Sequence, residues 1–306
     1  MGKANINNTA YEERLGTDRM LPLVLRMAMP SVAAQIVNLL YNLVDRIYIG
    51  HIPGIGTDAL AGIGVTGAII ILISAFSAIV SGGGAPLAAI ALGQGDRKRA
   101  GQTLGNGFVL LLIFTLLTTT LTYLFMEPLP MFTGASEHTV GYAKDYLSIY
   151  LLGTLFVETS VGLNTFINTQ GRPAIAMYSV LIGAVLNIIL DPIFIFVMGM
   201  GVRGAALATV ISQACSALWI VSFLTSKRAS LRLEFRYMRP DRNVISHILA
   251  LGVSPFIMAS TESLVGFVLN SSLEKFGDIN VSALAIMQSA MLVVSVPLAG
   301  CAQGFV

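Results

Sequence analysis

Long apolar runs broken by short polar punctuation dominate this chain. Residues 27–44 hold no charge, and a first membrane span is predicted over about 21–50. The charge-free run 59–95 is long enough to cross with tilt or breaks. Six further spans are predicted over 108–125, 146–170, 174–198, 204–226, 244–273 and 279–306, the last running to the end of the sequence. Each comes near the roughly 20 largely apolar residues that a spanning helix needs. The cuts between them (HIPGIGTD, GQGDRKRAGQT, TGASEH, QGRP and MGMGVRG) are turn chemistry. The predicted fold class is an all-α polytopic membrane protein.

Composition agrees: 55% of residues are hydrophobic and 11% charged, with mean hydropathy +0.78, against about 25% charged in a soluble domain. Residues 1–20 are polar, mix acids with bases and do not read as a cleaved signal peptide; they are expected to be a cytoplasmic segment. The arrangement of charge says more than the net +2. With the N-terminus inside, thirteen of the eighteen Lys and Arg residues fall on the cytoplasmic side and four on the outer side, with Arg26 near the inner end of span one. That bias places the loop 227–243 in the cytoplasm. This loop reads as a topology signal and a lipid-headgroup contact, with no role in binding nucleic acid. Cys215 and Cys301 lie far apart in apolar segments and give neither a disulfide framework nor a metal spacing. His51, His138 and His247 show no metal-protease spacing, no nucleophile stands beside a base, and no enzyme activity is expected. The glycine-rich SGGGAP at 81–86 lacks the Lys-Ser/Thr of a nucleotide loop and reads as a site of close helix packing.

A faint repeat runs through the chain. Pro30 in span one matches Pro255 in span seven at an interval of 225, and Ala59-Leu60-Ala61 matches Ala283-Leu284-Ala285 at 224. Six spans separate the two starts, an even number, so both copies enter the membrane from the same side. The expected organisation is an N-lobe of six spans over 21–226, the inter-lobe loop 227–243, and the first two spans of a second lobe over 244–306. Twice the period predicts a chain of about 450 residues with 12 spans.

Four acids stand inside the spans: Asp45, Glu158, Asp191 and Glu262. An ionised Asp at a helix centre costs about 2.5–3.5 kcal/mol. Arg46, beside Asp45, is the only base well inside a span. Acids in such excess are protonated, face water or bind a cation, and all three describe an ion or proton pathway. Asn187 and Asp191 are i and i+4 and share a helix face, and Pro192 removes an amide hydrogen bond next to the carboxylate. In span one Gln35, Asn38, Asn42 and Asp45 fall within a quarter of the helix circumference. This polar stripe must face protein or water. Pro30, one turn or more inward, is a candidate hinge.

These residues carry a resemblance. MPSVAAQIVNLLYNLVDRIYIGHI at 29–52, LGQGDRKRA at 92–100, NTFINTQGRP at 164–173, LNIILDPIFIF at 186–196 and PLAGCAQG at 297–304 together resemble the multidrug and toxic compound extrusion (MATE) family. The resemblance implies twelve spans in two six-helix lobes and a cation-coupled exporter. It implies an N-lobe site that couples H⁺ or Na⁺, made by Asp45, Asn187, Asp191 and Thr209. Asn38, Tyr146 and Asn164 would be further polar lining, and Glu262 matches an acidic span-seven position used in one branch of the family. Glu158 has no counterpart there.

The function expected is antiport of H⁺ or Na⁺ against amphiphilic, often cationic drugs by alternating access, in a bacterial inner membrane. The partners are small-molecule drugs and membrane lipids, no cofactor is needed, and a monomer is expected. The alternative is a lipid or lipid-linked oligosaccharide flippase of the same superfamily. Such a protein needs bases in its cavity to hold phosphate, whereas these spans carry acids.

Overall fold

The apolar runs all fold as helices. The computed structural model describes residues 20–303, and among these there is no strand. Residues 1–19, nearly all of the expected N-terminal segment, and 304–306 lie outside the described residues. The elements in order are α1 (Met20–Gly50), α2 (Gly56–Ile79), α3 (Ala85–Gly93), α4 (Arg97–Leu124), the single turn α5 (Leu129–Phe132), α6 (Val140–Asn168), α7 (Pro173–Pro192), α8 (Val202–Thr225), α9 (Arg242–Glu274) and α10 (Asp278–Gln303).

Several helices start earlier than hydropathy alone predicts, and at two of them a side-chain cap sets the start. Asp96 Oδ1 accepts from the Arg99 amide at 2.9 Å, so the basic turn at 97–99 is already helical. Asp241 does the same for the Asn243 amide at 2.9 Å and opens α9. A side-chain acceptor at this position satisfies an amide that the helix cannot. Pro30 and Pro255 both lie inside helices that continue past them. Pro192 closes α7, and the chain runs on through a π-helical turn at Ile193–Val197.

The long second span is α2 and α3 joined by a π-helical turn at Val80–Gly84, the SGGGAP segment. Close packing does occur here. A Cβ on Gly83 would run into the Ile248 carbonyl, and one on Gly252 into the Ile79 carbonyl. The backbones of α2 and α9 therefore meet almost directly, as small residues permit in membrane bundles.

The first six spans form a bundle in which α6 packs on α2, α4 and α8, and α1 packs on α7. Of the candidate spans α6 is the most enclosed, 61% of its apolar window buried against 11% for α9. α9 lies along α2, and α10 along α1 and α2. The basic loop between α8 and α9 is strapped across α4. Asn106, fully buried, donates to the Tyr237 carbonyl at 3.2 Å and accepts from the Asp241 amide at 2.8 Å. The end of the bundle carrying this loop is the basic end below, and the opposite one is the far end. Many Leu, Phe and Ile side chains on the bundle exterior are exposed, among them Leu116, Leu124, Leu152 and Phe132, as befits helices in contact with hydrocarbon.

Candidate functional site

Asp191 is the last residue but one of α7 and is fully buried. Its Oδ1 accepts from Asn187 Nδ2 at 3.2 Å, the i, i+4 contact expected on one helix face. Asn187 Nδ2 also reaches Thr209 Oγ1 on α8, at 3.5 Å. The Asp45 carboxyl on α1 comes within hydrogen-bonding reach of Asp191, and Tyr146 on α6 within that of Thr209. Four helices thus converge on one point toward the far end, and the four residues expected to form a coupling site meet there.

The group is short of hydrogen. Asp45 Oδ1, Asp191 Oδ2 and Asn187 Oδ1 are all buried with no donor. A buried acceptor left unsatisfied costs about 1–3 kcal/mol, and more when charged. Two ionised carboxylates in contact would add their mutual repulsion. Three orphaned oxygens on side chains that meet here fit a proton, a small hard cation or a water. Arg46 does not supply the missing charge: its Nη1 donates to the Ala285 carbonyl on α10 at 2.5 Å, and among the described residues it forms no ion pair with Asp45.

Next to this group, toward the basic end, a cavity of about 240 Å³ opens between α1, α6, α7 and α8. Gln35, Asn38 and Asn164 line it. Asn164 is held in place by donating to Ser179 Oγ at 2.7 Å. The volume falls below the about 300–1,000 Å³ of drug-sized pockets, so the cavity as it stands suits water and small ions.

The polar residues expected together divide into two neighbouring sets. Tyr146 joins the carboxyl pair rather than the cavity lining. It is buried and stacks on Tyr150 with ring centroids 6.1 Å apart. Asn42 is exposed and donates to its own helix, to the Asn38 carbonyl at 2.7 Å. Glu262 is exposed on α9 and not among the cavity-lining residues; the structure does not bring it into either set. Pro30 lies one residue from Ser31, the first of the α1 residues lining the cavity. One neighbour escaped sequence reasoning. Tyr41 lines the cavity together with Gln213 of α8 and interacts electrostatically with both Asp45 and Asp191. Its position four residues before Asp45 was the available signal.

Comparison with known proteins agrees with this architecture. A protein-family model described as MatE matches residues 30–193, more than half of the chain. The multidrug export protein MepA of Staphylococcus haemolyticus is 26% identical over 263 residues, covering 86% of this chain and 58% of MepA. A solved structure of the MATE multidrug transporter DinF-BH is 31% identical with a TM-score of 0.90, over 95% of this chain and 65% of that one. An outward-facing structure of a multidrug resistance MATE family transporter of the MOP superfamily is 27% identical with a TM-score of 0.82, over 92% and 62%. The chain therefore spans a little under three fifths of the curated relative's length.

Proposed function

The chain belongs to the MatE family of multidrug efflux transporters, and from that premise we propose that it takes part in the cation-coupled export of amphiphilic, often cationic drugs by alternating access. The observation that carries the reading is the contact between Asp45 and Asp191, with three orphaned acceptor oxygens around it and, among the described residues, no base paired to either acid. Such a group has a use for a travelling positive charge. In one orientation a proton or Na⁺ enters from the far end and cancels one of the pair's two negative charges, relieving their repulsion and lowering the cost of keeping the pair buried. Asn187 and Thr209 hold the ion in place, each contributing an uncharged oxygen. With the repulsion relieved, α1 draws toward α7, and bending near Pro30 reshapes the cavity behind it. In the other orientation a drug cation competes for the same carboxyl oxygens, and its departure resets the cycle. The oxygen set serves H⁺ and Na⁺ equally well on chemical grounds.

A flippase for phosphate-bearing lipids is the weaker reading. The cavity is lined by Ser, Asn, Gln and Tyr beside two acids, and no Lys or Arg is among its lining residues. A bacterial inner membrane, a cytoplasmic N-terminus and a monomeric state go with the proposal. Ethidium efflux from proteoliposomes, made with the protein expressed from its native gene, tests it. Export should follow an imposed pH or sodium gradient and vanish without one. Gradient-independent movement of ethidium would overturn coupling, and movement of a labelled phospholipid in its place would favour the flippase.

A further inference from the structure

Glu158 belongs to neither set described above. It lies on α6, twelve residues beyond Tyr146, which is about 18 Å along the helix toward the basic end. It is 2% exposed. Two serines of α2 hold it, one on each carboxyl oxygen: Ser74 Oγ donates to Oε1 at 3.0 Å, and Ser77 Oγ to Oε2. No base reaches it among the described residues. The charged groups on the helices packed against α6 sit elsewhere: Asp58 in the first turn of α2, Arg203 in the first turn of α8 and joined to Asp145, the three bases 97–99 in the first turn of α4, and Asp191 in the far-end pair. The titratable neighbour that interacts with Glu158 is Tyr150.

A buried carboxylate with two hydroxyl donors and no counter-charge is costly. A glutamine would satisfy the same two serines without that cost. What glutamine cannot do is bind and release a proton. Polar neighbours lead away from Glu158 in two directions. Ser81, one turn beyond Ser77, lines the cavity together with Ser160 and Asn164. In the other direction Tyr150 stacks on Tyr146, which reaches Thr209 and interacts electrostatically with Asp45.

We propose that Glu158, held by Ser74 and Ser77, is a second proton-binding site, filled from the cavity and linked to the Asp45–Asp191 pair through Tyr150 and Tyr146. Loading adds one water-borne proton to one carboxyl oxygen, and the serine on that oxygen turns its hydroxyl to accept from the new O–H. No other bond forms or breaks. The proposal rests on the exporter reading only in making this proton part of the transport cycle.

Two measurements on the purified protein expressed from its native gene test it. Infrared difference spectra between acid and alkaline buffer should show a protonated-carboxyl band that is missing from Glu158→Gln and present in Glu158→Asp. The protons released on adding ethidium, read with a pH dye, should fall by one in Glu158→Gln, with a matching loss of slope in the pH dependence of ethidium affinity, and stay at the wild-type count in Glu158→Asp. A structural role would make the isosteric Gln the milder change of the two. The idea is overturned if the band survives in Glu158→Gln, if the proton count does not change, or if only the sodium dependence moves. Absence of ethidium-linked proton release from the wild type would instead count against proton coupling of the exporter and leave sodium coupling, and the infrared band would still decide on Glu158.

Discussion

At the scale of single residues, the contact between Asp45 and Asp191 makes the sharpest demands. Asp191→Asn keeps the size of the side chain and places a donor where an orphaned acceptor stood, so the protein should express and fold at least as well as wild type. It also removes the only group on α7 able to take a charge at that point. Ethidium efflux from cells expressing the variant should drop to background, and Asp45→Asn should do the same. Unimpaired drug resistance with either variant would contradict the assignment. Glu262→Gln should cost far less, because that side chain is exposed and apart from both polar sets; equal loss would move the main site to α9. Much of this site was legible in the sequence. A carboxylate in an apolar run, an amide four residues before it and a polar stripe on the first span each announce themselves through the expense of burying them. What could not be read was which groups meet across helices. Tyr41 and Tyr146 are ordinary amphipathic side chains in their own segments, and Glu158 shows its purpose only beside the serines of α2.

At the scale of helices, the lengths of the apolar runs and the turn residues between them found every long element, and the differences lie mostly at the ends. Hydropathy cannot see a polar first turn such as 97–99, because a helix that projects from hydrocarbon no longer needs apolar residues. The SGGGAP segment was legible as a packing site, though its partner, Ile248 to Gly252 on α9, was not. That contact predicts a loss of stability. Gly83→Val or Gly252→Val forces a side chain into a facing carbonyl, and overpacking of this kind costs about 1–3 kcal/mol. Either variant should lower the temperature at which the detergent-solubilised protein aggregates, whereas Gly67→Val, with open space at its Cβ, should not. The loop strap offers a separate measurement. Asn106→Ala strips two loop contacts at once, and loss of a buried partner costs about 1–3 kcal/mol. Trypsin, which cuts after the loop's many Arg residues, should cleave between α8 and α9 faster in this variant, with the membrane core left intact.

At the scale of the whole molecule, α9 and α10 touch the first six spans near both ends, and alternating access requires one set of contacts to part. The far-end set includes reversible hydrogen bonds: Arg46 to the Ala285 carbonyl, Ser282 to the Thr57 carbonyl at 3.0 Å, Ser271 to the Phe132 carbonyl at 3.2 Å, and Ser136 to Asp278 at 2.9 Å. It also includes a small apolar cluster of Ala61, Val65, Ala135 and Val281, and a close backbone approach of Gly134 to Asn270. Nearer the basic end the backbones meet at Gly83 and Gly252. The carboxyl pair lies near the far end, so an ion that enters there needs the far-end contacts to part. Cysteines at 136 and 278, in a protein whose Cys215 and Cys301 are replaced by serine, place two thiols where the Ser136–Asp278 bond now stands. A short reducible cross-linker across them should stop ethidium efflux, reduction should restore it, and each single cysteine should be indifferent to the reagent. If efflux continues with the cross-link complete, these contacts persist through the cycle and the ion must reach Asp45 and Asp191 by another route. An arrest that reduction reverses would tie the opening of this end to the exchange of ion for drug.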